Sequence, residues 1–344
     1  MKNEVQSDFQ DGPPLKNEVK ITLAPLSRVK YNAISLVIAH IFAAMGLYYI
    51  IRGQVKLQTL SATFVMIVLS QFGSVVGAHR MWSHNSFKPT LPLKVFLLFC
   101  QTLSTQGSAF HWARLHRVHH KYVDTSKDPY NANAGFFFSH IGWLLVQPNP
   151  ETREAVSKVW MDDLKKDRLV MFQHKLYWGL TVPVSIIIPG LIPWYFWNES
   201  FIISNCVAVY LRLVLWLHAT FTINSFAHFY GTKPFDKNIR ATDNKITWFA
   251  TLGDEGWHNY HHAFPWDYKP SEWWGYQNGI GTIFIDLCAR LGLAYDLKTT
   301  SPEMSTKRRQ RTGDLSCHVW GWYDENVSPM DRQSTVIRYK EKNI

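Results

Sequence analysis

Residues 58 to 84 read QTLSATFVMIVLSQFGSVVGAHRMWSH. The first part, 58 to 78, is apolar and long enough to cross a bilayer, which needs about 20 such residues. The second part ends in His79 and His84, so a membrane span runs directly into side chains that bind metals. That junction sets the expected fold class: an all-α integral membrane protein with its site at a membrane surface.

Three more runs have spanning length. Residues 31 to 51 (YNAISLVIAHIFAAMGLYYII) form a hairpin with 58 to 78 through the short link Arg52 to Lys56. Residues 176 to 197 carry Pro183, Pro189 and Pro193, which neighbouring helices can accommodate, and 201 to about 226 make the fourth span. Leu91 to Leu103 is too short to span and reads as an interfacial or buried helix. This division predicts an N-terminal tail at 1 to 30, a membrane domain at 31 to 300 and a C-terminal tail at 301 to 344.

Charge orients the spans. The chain carries a net charge of +10, and its basic residues concentrate in the tails and in the segment between the second and third spans. The positive-inside rule then puts both termini and that segment in the cytosol. The turn Trp197-Asn198-Glu199-Ser200 lies on the other side, with Asn198 too close to the membrane for efficient glycosylation. The basic residues are scattered rather than striped along one element, which argues against nucleic acid. Cys100, Cys206, Cys288 and Cys317 have neither paired nor Cys-x-x-Cys spacing, so no disulfide framework or zinc ribbon is expected. Residues 1 to 30 have no apolar core, and the first span is expected to act as its own signal anchor.

All four histidine patches fall on the cytosolic side. His116-Arg-Val-His119-His120 is echoed at His258-Asn-Tyr-His261-His262. Positions i, i+3 and i+4 share a helix face, so each segment is expected to offer three imidazoles to a common point. With His79, His84 and His228 this makes nine of the 15 histidines. Zinc takes three or four protein ligands, whereas nine nitrogens suit two ions with open positions, and imidazole suits iron. Asn224, one turn before His228, can hold a metal-bound water or make an interhelical hydrogen bond. The remaining histidines, His40, His111, His140, His174, His218 and His318, read as structural.

At these residues the chain resembles the animal membrane acyl-CoA desaturases of the stearoyl-CoA Δ9 type. The matching text is Gly77-Ala-His-Arg-Met-Trp-Ser-His84, Trp112-Ala-Arg-Leu-His-Arg-Val-His-His-Lys121, Gly135-Phe-Phe-Phe-Ser-His-Ile-Gly-Trp-Leu-Leu-Val146, Asn224-Ser-Phe-Ala-His228 and Glu255-Gly-Trp-His-Asn-Tyr-His-His262. The resemblance runs from about residue 30 to 300. It implies four transmembrane helices under a helical cytosolic cap that holds a di-iron centre. The ligands would be His79, His84, His116, His119, His120, His228, His258, His261 and His262, with Asn224 acting through water. It implies a kinked acyl tunnel beside Gln106, Trp112 and Thr220, a fatty acyl-CoA substrate and O2 as oxidant. It also implies electrons from cytochrome b5 and its NADH-dependent reductase, and residence in the endoplasmic reticulum membrane. The sequence has no His-Pro-Gly-Gly haem motif, so the cytochrome is expected as a separate partner. Removing hydrogen from an unactivated methylene pair needs a strong oxidant, which the metals rather than the side chains supply.

The chain departs from the family's usual text at four places. Gln147-Pro148 replaces Arg-Lys, Leu115 replaces Asp in Trp-Ala-Arg-Asp-His, Tyr130 replaces His in Asp-Pro-His-Asn, and Asp254 precedes Glu255-Gly where Gly-Glu-Gly is usual. Arg114, in a cytosolic helix one turn from the ligands, is expected to contact CoA. In the family the tunnel floor lies about two turns before the first histidine cluster. That face here carries Ile67, Gln71 and Ser74, so Gln71 either shortens the tunnel or hydrogen-bonds a neighbouring helix.

Two other functions fit the clusters. A di-iron lipid hydroxylase, or a desaturase of another lipid, is separated by product analysis. A non-catalytic zinc-binding membrane protein is separated by metal content.

Overall fold

A computed structural model describes residues 26 to 272 and 278 to 314. Cys317, His318 and most of both tails lie outside the described residues. Among the described residues the regular structure is helical, apart from a two-residue antiparallel ribbon pairing Lys88–Pro89 with Ala294–Tyr295 and two isolated bridges at Asp243.

Four helices are long and apolar enough to cross a membrane: Tyr31–Ile51, Leu57–Ser83, Tyr177–Trp197 and Phe201–Phe229. The protein is a multi-pass membrane protein. Two spans are longer than the sequence suggests. The second continues through His79 as a π-helix over Phe72–Ser83, and the fourth reaches His228 after a break at Ser225. Polar residues inside a span ended the apolar runs early, but packing against the cap keeps the helices going.

The second and fourth spans are half buried, while the first and third mostly face outward. Ile34, Val37, Ile41, Leu47 and Ile51 leave the first span exposed to lipid. The Leu91–Ser104 helix lies against the second span, burying Leu93, Leu97, Cys100, Gln101 and Ser104 and exposing Leu91, Val95 and Phe99. Gly73 makes that approach possible, since a Cβ there would meet the backbone of Cys100 and Gln101 at 2.2 Å. Small residues serve the same purpose wherever membrane helices touch closely.

The two short span-to-span links meet at one end. Glu199 is buried and accepts from the Lys56 backbone N–H at 3.0 Å and the Thr59 hydroxyl at 2.7 Å, while the Lys56 ammonium caps the carbonyls of Trp197 and Asn198. All nine clustered histidines lie at the other end.

Buried polar side chains tie the spans together. The Arg212 guanidinium, fully buried in the fourth span, donates to the carbonyls of Ala208, Leu103 and Ser185 and to the hydroxyls of Ser70 and Ser185. Two of these carbonyls have a reason to be free. Leu103 is in the last turn of its helix, whose carbonyls have no intrahelical donor, and Ser185 stands four residues before Pro189, which has no N–H to offer it. His40, His218 and His140 form a hydrogen-bonded chain with 2.9 Å links, and His140 continues to the Ser225 hydroxyl at 2.8 Å. These are the structural histidines that the sequence suggests.

The cap carries its own core of Trp82, Phe87, Leu97, Phe110, Ala113, Met161, Val170 and Ile285. At the start of the C-terminal segment stands the helix Pro302–Thr312. Arg308 pairs with Asp236, Arg309 pairs with Glu272, and the Thr312 carbonyl accepts from the Lys237 N–H.

Candidate metal centre

The nine histidines gather into two groups. His79, His84, His116, His120 and His261 form one, and His119, His228, His258 and His262 form the other, with the ligand atoms of each group within 4.8 Å of one another. The expectation that each His-x-x-His-His segment serves one point is therefore corrected. His116 and His120 go to the five-membered group while His119 turns to the other; His258 and His262 go to the four-membered group while His261 turns away. The reason is helical phase. Residues i and i+4 are nearly in register, whereas i+3 and i+4 diverge by about 100°, so each segment straddles both groups.

His79 and His84 need a different explanation. Five residues apart on an α-helix, they would point about 140° away from each other. The π-helix brings them together, because its hydrogen bonds run to the fifth residue, and the His84 N–H donates to the His79 carbonyl at 3.2 Å. Their ring centres are 5.0 Å apart.

Three carboxylates aim the rings. Glu255 faces His79 Nδ1 at 3.0 Å, both oxygens of Asp128 face His119 Nδ1 at 2.9 and 3.0 Å, and Asp124 lies 3.6 Å from His228 Nδ1. Each partner favours the tautomer with hydrogen on Nδ1, which leaves the Nε2 lone pair pointing inward. The inward contacts are all between Nε2 atoms: His79 with His261 at 2.9 Å, His84 with His116 at 3.0 Å, His120 with His261 at 3.0 Å, His228 with His258 and His258 with His262 at 3.1 Å. Converging acceptors call for a cation between them, so the residues present fit a metal in each group. Burial, followed by the neighbouring imidazoles, pushes His84, His116, His120, His258, His261 and His262 well below the ordinary imidazole value. They are held neutral, the form that binds metal.

The cap fixes these elements from outside. Asp243 accepts from the Asn259 N–H at 3.0 Å and so caps the short His258–Ala263 helix, while the Asn259 amide bridges Phe235, Asp236 and Ala241. Arg117 ties the Ala109–Tyr122 helix to the end of the second span, donating to the carbonyls of Trp82 and Ser83 and to Asp163. The three Nδ1 carboxylates were not singled out from sequence. Asp128 lies nine residues beyond the His119 it faces, a spacing too common to single it out, while Glu255 and Asp124 face histidines from distant parts of the chain.

The other site residues fall as follows. Trp112 stacks on His116 at 4.7 Å and forms a wall of the five-histidine group. The Gln106 amide donates to Thr220 Oγ1 at 2.7 Å, bringing those two together. Arg114 sits half-buried with its guanidinium 5.7 Å over Phe110. Asn224 is the last residue of its helix, one turn before His228. Leu115 packs with Val118, Ala155 and Val156, so the absent carboxylate is replaced by an apolar contact. Gln71 is fully buried, and its amide nitrogen donates to Asp254 and the Thr251 carbonyl. That is the hydrogen-bonded alternative of the two weighed from sequence.

Comparison with known proteins agrees with this arrangement. The family profile described as "Fatty acid desaturase" matches residues 57 to 272. An acyl-CoA Delta12-desaturase of Acheta domesticus is 41% identical over 338 residues, covering 98% of this chain and 94% of the relative. An acyl-CoA Delta-9 desaturase of the same organism is 43% identical over 310 residues (90% and 86%), and a stearoyl-CoA desaturase of Mesocricetus auratus is 44% identical over 308 residues (90% and 83%). With four spans, two histidine groups at one end and this extent of identity, the chain belongs to the fatty acid desaturase family.

Proposed function

We propose that this protein is an acyl-CoA desaturase that uses O2 to introduce a cis double bond at the Δ9 position of a saturated fatty acyl-CoA. The single observation that carries this reading is the pair of inward-facing imidazole groups at one end of a four-span bundle. Two iron ions would sit there, since imidazole-rich ligation suits iron, and bound iron supplies the oxidising chemistry that side chains lack. The nine histidines hold the metals, and Asn224 adds a contact through water. Trp112, Gln106 and Thr220 border the acyl chain and select the methylene pair by position. Electrons come from cytochrome b5 and its NADH-dependent reductase. The membrane is that of the endoplasmic reticulum, with both termini cytosolic, which the basic residues on the histidine side support.

Arg114 is assigned to the CoA phosphates, because a guanidinium one turn from the ligands offers charged donors without touching the metals. Arg114→Ala should raise KM for acyl-CoA more than it lowers kcat. A loss confined to kcat would remove Arg114 from the substrate.

One observation favours a second regiochemistry. A relative covering 98% of the chain is named as a Delta12 enzyme. Expression in a desaturase-deficient cell, followed by location of the double bond in the lipids, decides between them. A Δ9 product supports the first reading and a Δ12 product the second, while a hydroxylated chain would reject desaturation.

A further inference from the structure

Asp254 occupies an unusual setting. Its carboxylate is fully buried and accepts from Arg80 Nη2 at 2.8 Å, from the Gly281 N–H at 2.8 Å and from the Gln71 amide. It is lodged against bare backbone: a Cβ on Gly281 would meet Asp254 Oδ1 at 2.8 Å, and one on Gly279 would meet the Asp254 nitrogen at 2.5 Å. The donors come from three places in the chain, namely the second span, its histidine-bearing end and the start of the Gly279–Arg290 helix.

The next residue, Glu255, is also buried and is the partner of His79 Nδ1. Arg80 lies between the two acids, 2.8 Å from Asp254 but 3.6 Å from Glu255. One guanidinium thus has two buried carboxylates to choose from, and the geometry gives it to Asp254. Its other contacts, to Thr282 Oγ1 and the Asp254 carbonyl, hold it on that side. Glu255 is left to accept from His79. Without Asp254 the buried guanidinium would lack its partner, a costly state, and the nearest remaining anion is Glu255.

We propose that Asp254, anchored by Gln71, is a positioning residue for the metal of the five-histidine group, holding Arg80 off Glu255 so that Glu255 keeps His79 aimed at that metal. This rests on the metal reading above. It also gives Gln71 a task in the junction between span and cap, apart from the acyl chain. The pair spans 183 positions of sequence, and neither residue touches a ligand itself.

The test counts metals. Asp254→Asn keeps the volume but turns an amide N–H₂ toward the Gln71 and Gly281 donors. Outer partners of metal ligands change affinity by about 10–100-fold; Asp254 acts one step further out, so about tenfold is expected. At iron concentrations where the unaltered protein holds two irons, Asp254→Asn should fall toward one. Its kcat should drop while KM for acyl-CoA stays unchanged. Gln71→Leu should cause a smaller loss at the same metal, and the double variant should be no worse than Asp254→Asn alone. Should Asp254→Asn fail to purify as a monodisperse protein, Gln71→Leu carries the same test. Retention of both irons at unaltered affinity in either single variant would overturn the proposal. So would additive losses, or a shift in acyl-length preference in Gln71→Leu with both irons in place. Unaltered protein that binds no iron would defeat the metal reading and this inference with it, which is a distinguishable result.

Discussion

Replacing His261 with alanine should abolish desaturation and leave purified protein with about one metal in place of two. His261 stands at the centre of the five-histidine group, with its Nε2 2.9 Å from that of His79 and 3.0 Å from that of His120. It thus joins the second span to the Ala109–Tyr122 helix. Its loss opens the group on the side facing the His258–Ala263 helix, so the remaining imidazoles no longer close around one point. The four-histidine group keeps all its members, so the second metal should stay. Turnover at the unaltered rate, or retention of both metals, would contradict the assignment of His261. The same assay on His119→Ala should remove the other metal instead.

The second large effect is expected at Asp128. Its two oxygens hold His119 Nδ1, and the same carboxylate accepts from the backbone N–H groups of Asp124 and Tyr130 at 3.2 and 2.9 Å. The acid is therefore fixed before it fixes the histidine. Asp128→Ala removes the brace, the tautomer preference and the turn that presents both. Affinity of the four-histidine group should fall by about 10–100-fold, read by titrating iron into metal-free protein, while the five-histidine group binds as before. Unchanged affinity at both groups would show that packing against Tyr130 alone orients His119.

The spans were legible because twenty apolar residues in a row have few other uses. Their ends were not, since His79 and His228 are polar residues that continue a helix only because the cap receives them. The histidines were legible as ligands by number and spacing. Their division was not, because which of i, i+3 and i+4 meet depends on where the other segment stands. The π-helix at Phe72–Ser83 leaves no local pattern in the sequence: its register is set by the contact with Cys100 at Gly73 and by the Trp82 and Ser83 carbonyls that Arg117 holds. Gln71 illustrates the same limit. Its position on the second span left an acyl contact and a hydrogen bond to a neighbouring helix both open, and the partner it donates to, Asp254, lies far along the chain.

Arg212 bears on how the chain is made. An arginine at the centre of a lone span costs about 3 kcal/mol on insertion scales, so the fourth span would enter lipid poorly by itself. Every group beyond its own helix that receives its guanidinium, Ser70, Leu103 and Ser185, precedes it in the sequence. When Arg212 leaves the ribosome, those acceptors have already been synthesised. The fourth span can therefore leave the translocon against a receptor assembled from the second and third spans and the helix between them, which makes order of synthesis part of what specifies the bundle.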